Sequence, residues 1–206
     1  MPRATASGAG ASGLTAAVIE NRFMPELGPV ASPADEIDAR RKWAGATLAN
    51  GVLTEDMAAF CQSGVGIAVA SRDADGWPVL SRGRGCRIDA EGRVRVILRS
   101  GSAAALVEAV AAGRPVAATF SQPGSHRSIQ LKAGSAEVRE PEPADAPAAD
   151  RQSAVFRGLL IAAAYPDVFA TTYCSAGGQP LAAIEFMPEA AFVQTPGPGA
   201  GSRLDP

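Results

Sequence analysis

From Gly64 onward, apolar and polar positions change over in short runs separated by compact turns. Gly66-Ile67-Ala68-Val69-Ala70 predicts a buried strand, and Asp73-Ala74-Asp75-Gly76 a turn. Pro78 to Ile88 reads as the next extended stretch, Asp89-Ala90-Glu91-Gly92 as a second turn. Arg93-Val94-Arg95-Val96-Ile97-Leu98 then alternates before becoming continuously apolar, as in a strand with one face in a core. Connections this short leave no room for crossover helices, so the strands form an antiparallel meander. Ser100–Ala112 changes period: Ser102 is placed to cap a helix that carries Leu106 and Val110 four apart and stops at Gly113. Val116–Phe120 and His126–Val138 return to strand around Pro123-Gly124. The acidic stretch Glu140–Asp150, with Pro141, Pro143 and Pro147, reads as a loop. A helix is expected from Asp150 to Tyr165, ended by Pro166, followed by a strand over Leu181–Phe186 and a short one at Phe192-Val193.

Upstream, Ser32-Pro33-Ala34-Asp35 has the signature of a helix start, with Ile37, Ala44 and Leu48 on one face and Asn50-Gly51 as the stop. A second short helix is expected from Thr54 to Cys61. The domain plan is a disordered or loosely attached leader over 1–31, N-terminal helices over 32–63 packing on the main domain, that domain over 64–195, and a flexible Pro/Gly tail over 196–206. The fold class is mainly β with accessory helices (α+β). A dinucleotide fold is disfavoured, because no Gly-rich turn joins a strand to a helix in a βαβ unit.

Composition adds exclusions. A net charge of −2 over 206 residues sets up no global field toward nucleic acid or an acidic membrane. Of 19 cationic residues only Lys42 and Lys132 are lysines, a skew that matches the Gly-, Pro- and Ala-rich coding of the whole chain. Three widely spaced cysteines, Cys61, Cys86 and Cys174, support neither a disulfide framework nor a zinc site. No apolar run reaches the ~18–20 residues of a membrane span, and Met1–Gly13 lacks a signal peptide's apolar segment. The expected location is cytoplasmic.

The order of motifs over Gly64–Val138 resembles the pyridoxamine 5′-phosphate oxidase-like family. Asp73-Ala74-Asp75-Gly76-Trp77-Pro78 is followed by a strand with basic residues, a turn, a third strand, a serine-started helix and Arg114-Pro115-Val116-Ala117-Ala118-Thr119-Phe120. Gly134-Ser135-Ala136-Glu137-Val138 completes it. With the tail segment Gln194–Pro198 the resemblance spans roughly residues 55–200. It implies an antiparallel split β-barrel, bound flavin mononucleotide (FMN), and a homodimer with the cofactor at the subunit interface.

The family's second strand carries R-x-x-x-x-K against the flavin phosphate and ring. Arg82 and Arg87 stand at that spacing, with arginine in place of lysine. Gly83 lies between Arg82 and Arg84, and Arg84 shares the face of Arg82 in an extended chain. Guanidinium groups suit a phosphate dianion, since they bind it in a two-pronged, charge-assisted way. The alternative is that these arginines solvate the outside of a strand. Arg99, Ser100 and Ser102 stand where strand passes to helix, a place that attracts anions. The family's basic residues after the serine are replaced by Ala103 and Ala104, and Ser102 also reads as a plain N-cap. Gln130 is the candidate for the family's glutamine near the flavin ring, or else an ordinary strand residue. His126, the sole histidine, would be a ligand only if haem were bound; a turn histidine is the other reading.

No nucleophile stands with a paired base, so no catalytic side chain is assigned and a cofactor is the natural carrier of chemistry. The expected function is an FMN-dependent oxidoreductase passing hydride to or from a small-molecule substrate. The alternatives are a non-catalytic flavin- or haem-binding sensor or storage protein, a haem-degrading one, or a protein with deazaflavin or no cofactor. The substrate signature of the oxidase itself is not visible.

Overall fold

The computed structural model describes residues 42–175 and 178–204. The leader expected over 1–31, and the first part of the helix expected from Ser32, lie outside the described residues. Residues 42–50 are not helical. There Thr47 bridges to Thr54, and Asn50 Oδ1 accepts from the Val52 and Leu53 N–H groups at 3.0 and 3.1 Å, bending the chain into a turn. The short helix α1 (Glu55–Cys61) forms as expected, capped by Thr54, whose hydroxyl accepts from Met57 N.

The meander follows as β1 (Gly66–Arg72), β2 (Pro78–Arg82), β3 (Gly85–Ile88) and β4 (Val94–Arg99). Helix α2 (Ala104–Ala111) comes next, then β5 (Val116–Ser121), β6 (Ser128–Ala133) and β7 (Glu137–Arg139). Helices α3 (Asp145–Ala162) and α4 (Asp167–Cys174) precede β8 (Leu181–Phe186), β9 (Ala190–Val193) and β10 (Arg203–Leu204). One sheet has six strands in the order β10-β9-β6-β5-β1-β2, the other four in the order β3-β4-β8-β7, and every pairing is antiparallel.

The two sheets are one barrel split along a seam. Chain passes from sheet to sheet at Gly83-Arg84, at Gly134–Ala136 and at 187–189, and a fourth time by way of α2 between β4 and β5. At the first corner the Gly83 N–H donates to Ile67 of β1 (2.9 Å) and the next, Arg84 N–H, to Ile97 of β4 (2.6 Å). A Cβ on Gly83 would stand 2.5 Å from the Ile67 side chain, so only glycine lets the strand turn over the core there. Between the sheets lie Phe60, Val69, Val96, Leu98, Phe120, Ile129, Leu131 and Phe186, all essentially water-free.

Four expectations change. The stretches Pro78–Ile88 and His126–Val138 are each two strands, because the corner residues serve both sheets. The long helix starts at Asp145, five positions before Asp150, since Asp145 Oδ2 accepts from Glu142 N (2.8 Å) and Pro147 falls in a first turn that needs no N–H there. A further helix, α4, follows Pro166. The tail beyond Pro196 turns through Gly197, Gly199 and Gly201, all at positive φ, and Arg203-Leu204 pairs with β9.

Candidate functional site

The α3–α4 pair sits over the first corner of the barrel. Gly64, Gly66 and Gly85 admit it: a Cβ on Gly64 would meet Val155 at 2.4 Å, one on Gly66 would meet Phe156 at 3.0 Å, and one on Gly85 would meet the Ala149 backbone at 3.0 Å. This brings the end of α4 against Arg82 of β2 and Arg84 of the corner.

Three guanidinium groups converge there. Arg82 lies 3.8 Å over the Tyr173 ring and 5.3 Å from Phe156; it donates to the Tyr173 carbonyl and stands 3.8 Å from Cys174 Sγ. Arg84, 7% exposed, donates through Nη2 to the carbonyls of Cys174 (2.6 Å) and Ser175 (2.8 Å) and to Ser153 Oγ (3.4 Å). Arg99 Nη1 donates to the Gln179 carbonyl at 2.6 Å. None of the three meets a carboxylate among the described residues. The Nε of Arg84 and that of Arg99 are buried and have no hydrogen-bond partner among the described residues. Burial, then the positive charges of Arg82 and Arg99, lower the Arg84 pKa from its ordinary value. Concentrated, partly desolvated positive charge is an electrostatic setting that favours an anion.

The strand-to-helix turn adjoins this cluster. Ser100 N donates to Pro180 O (3.0 Å) and Ser102 N to Gln179 Oε1 (3.2 Å). Ser102 is not the expected N-cap. Ala103 holds that position without a side-chain bond, and the Ser102 hydroxyl donates back to Arg99 O at 3.2 Å.

Arg87 goes elsewhere. In β3 it ion-pairs with Glu142 (2.6 Å) and Asp145 (3.0 Å), beside Arg95, which holds Asp145 at 2.7 Å and Glu185 at 2.7 Å. Hydrogen bonds that Arg87 donates to the two carboxylates, Glu142 first, raise its pKa. Arg87, Arg95, Glu142 and Glu185 border a cleft of about 540 Å³ that also reaches Gln62, Arg93 and Arg151.

Gln130 joins Arg82 through the sheet itself. The register sets Arg82 against Ala68, Ala68 against Thr119, Thr119 against Gln130, and Gln130 against Phe192. Directly paired antiparallel residues share a face, so these side chains stand in one row on the outside of the six-stranded sheet. Three strand spacings of about 4.8 Å put Arg82 and Gln130 roughly 14 Å apart. The floor between them is small, Ala68 and Thr119, and Gln130 Nε2 donates to Thr119 Oγ1 at 3.0 Å. At the edge of this face Leu80 is 72% exposed. His126 is exposed in the turn before β6 at φ 56°, its N–H donating to Gln122 O.

Sequence reasoning missed Tyr173, Cys174, Ser175 and Gln179. Their contribution is mostly backbone carbonyl, which no residue type advertises. The aromatic spacing Tyr165, Phe169, Tyr173 was the readable sign of α4. Those rings stack at 5.3 and 5.7 Å.

No protein-family model and no curated protein matches the chain. Among solved structures it is similar to HupZ of Group A Streptococcus, at 16% identity over 73% of this chain and 99% of that one, with a TM-score of 0.45. It is also similar to a candidate pyridoxamine 5′-phosphate oxidase from Lactobacillus delbrueckii (17% identity, 69% of this chain, 94% of that chain, TM-score 0.43). A third is a pyridoxamine 5′-phosphate oxidase-related, FMN-binding protein from Nostoc punctiforme (10%, 68% and 82%, TM-score 0.38). The last two carry the name of the group that the motif order resembles.

Proposed function

We propose that the chain is an FMN-dependent oxidoreductase acting on a small molecule. The observation that carries this reading is the cluster of Arg82, Arg84 and Arg99, which has no carboxylate partner among the described residues and holds two buried, unpartnered Nε atoms. An uncompensated buried cation is costly in a resting protein, and a phosphate is the group that would offset it. Arg82, Arg84, Arg99 and the Ser102 N–H would hold the phosphate. The Ala68–Thr119 floor and Gln130 offer a flat face with one amide for the rest of the cofactor. FMN, when bound, supplies hydride transfer. The chain's own residues bind and orient it, and the Tyr173 and Phe156 rings shield the Arg82 side of the cluster from water. Arg87 is not part of this grouping; its charge is already balanced. The open face around Leu80 fits a second copy of the chain, which would complete the site as a homodimer. Haem has less support, since His126 stands in an exposed turn at positive φ.

The test is titration of the purified chain with FMN and with riboflavin, which lacks the phosphate. Charge-assisted hydrogen bonds are worth about 1.5–3 kcal/mol each, so Arg82→Ala with Arg84→Ala should weaken FMN at least tenfold and leave riboflavin unchanged. Equal FMN affinity in the double variant sinks the phosphate site. Reduction of the bound flavin by NADPH or NADH supports an enzyme; a flavin that no nicotinamide or substrate reduces supports the non-catalytic alternative.

A further inference from the structure

The anion cluster is not open; part of it is taken by a neutral residue of the same chain. Gln179 reaches it twice. Its carbonyl accepts from Arg99 Nη1 (2.6 Å), and its side-chain Oε1 accepts from the Ser102 N–H (3.2 Å). That N–H stands just before a helix whose N-cap, Ala103, brings no side-chain acceptor. Gly101 makes the contact feasible, because a Cβ there would lie 2.9 Å from Gln179 Oε1. The Gln179 amide oxygen therefore holds a position at the start of helix α2, on the residue whose carbonyl meets Arg99, where a phosphate oxygen would be well received. It is a poor substitute. It carries no charge, and it leaves the Arg99 Nε and, deeper in the cluster, the Nε of the 7%-exposed Arg84 without partners among the described residues.

We infer that Gln179 sets the anion affinity of this site, its side-chain amide competing with the phosphate for the Ser102 N–H. This rests on the reading that the cluster of Arg82, Arg84 and Arg99 holds an anion. Gln179 is exposed, so the amide can swing into water without uncovering core. A phosphate arriving at the cluster has to displace one neutral hydrogen bond, and its charge-assisted bonds are about twice as strong. A carboxylate at the same position would instead neutralise Arg99 from within and exclude the phosphate.

Wild type, Gln179→Ala and Gln179→Glu are compared by titration with FMN, with riboflavin, and by thermal protection with inorganic phosphate. Losing one neutral competing hydrogen bond should tighten FMN about three- to tenfold in Gln179→Ala and lower the phosphate concentration for half-maximal protection by the same factor. Riboflavin should bind all three proteins alike. Gln179→Glu should weaken FMN and phosphate at least tenfold. FMN affinity in Gln179→Ala that is equal to or weaker than wild type overturns the inference, and so does riboflavin tightening as much as FMN. If wild type binds FMN and phosphate while Gln179→Ala changes nothing, only the role of Gln179 falls. If none of the three proteins binds either ligand, the anion reading of the arginine cluster falls with it.

Discussion

Asp145 is fully buried, and four donors converge on it: Arg95 Nε and Nη2, Arg87 Nη1 and the Glu142 N–H. Burial alone would raise its pKa, but the hydrogen bonds from Arg95, the Glu142 backbone and Arg87 outweigh that and hold it below the usual carboxylate range. A folded-state pKa below the unfolded value of about 3.9 makes Asp145 stabilising above that pH, and the contribution is lost as pH falls further. Asp145→Ala leaves Arg95 buried and short of a partner, and should cost about 3–5 kcal/mol in denaturant unfolding at neutral pH. The gap from wild type should narrow below about pH 4; a pH-independent gap would show that packing rather than charge is at stake. At this scale the sequence was half legible. Arg82 and Arg84 share parity along an extended chain and do come together, while Arg87 has the opposite parity and is drawn to acids of α3 and its approach. The carboxylates that claim Arg87 are more than 50 positions downstream, beyond the reach of a local spacing argument.

Among the elements, the α3–α4 pair decides what the barrel's first corner can do. Its approach depends on the missing Cβ of Gly85, whose neighbour is the Ala149 backbone and cannot rotate aside. Gly85→Ala should cost about 1–3 kcal/mol through overpacking, read by chemical denaturation. It should also shift α3 enough to disturb the Arg84 contacts to Ser153, Cys174 and Ser175, so near-UV signals from Tyr173 should change. An unchanged stability would mean that α3 sits less tightly than described. Strand identities were legible because alternation survives in short windows: Leu181–Phe186 matches its expected limits, and α1 begins at its expected cap. Corners were not legible, since Gly83-Arg84 looks extended in sequence and reveals its bend only where two sheets compete for adjacent N–H groups. Helix α3 was expected to start late because three prolines suggested a loop. Pro147 in fact lies in the first turn, where its ring is tolerated.

For the whole molecule, the antiparallel α+β plan and the split of the barrel into two sheets follow the expected class. The outer face of the six-stranded sheet is the surface on which the proposed homodimer rests. Leu80 on edge strand β2 and Trp77 before it are 72% and 71% exposed. A leucine buried at a subunit interface is incompatible with a charge, so if the proposed dimer forms there, Leu80→Arg should convert it to monomer in sedimentation and weaken FMN binding. A wild-type protein that sediments as a monomer at micromolar concentration removes the dimer from the proposal.

Three of the four crossings between the sheets are tight corners, at Gly83-Arg84, Gly134–Ala136 and 187–189, and they have a further consequence. Each is only two or three residues long, too short to act as a tether between independently moving halves. A tug on either sheet is passed to the other through taut backbone, as in cloth stitched along one seam. The parts able to yield are those outside the stitching: edge strand β2, the two-residue β10 and the helices laid over the corner. Ligand traffic at the proposed anion site would therefore depend on the hem of this molecule, while the fabric between the sheets stays shut.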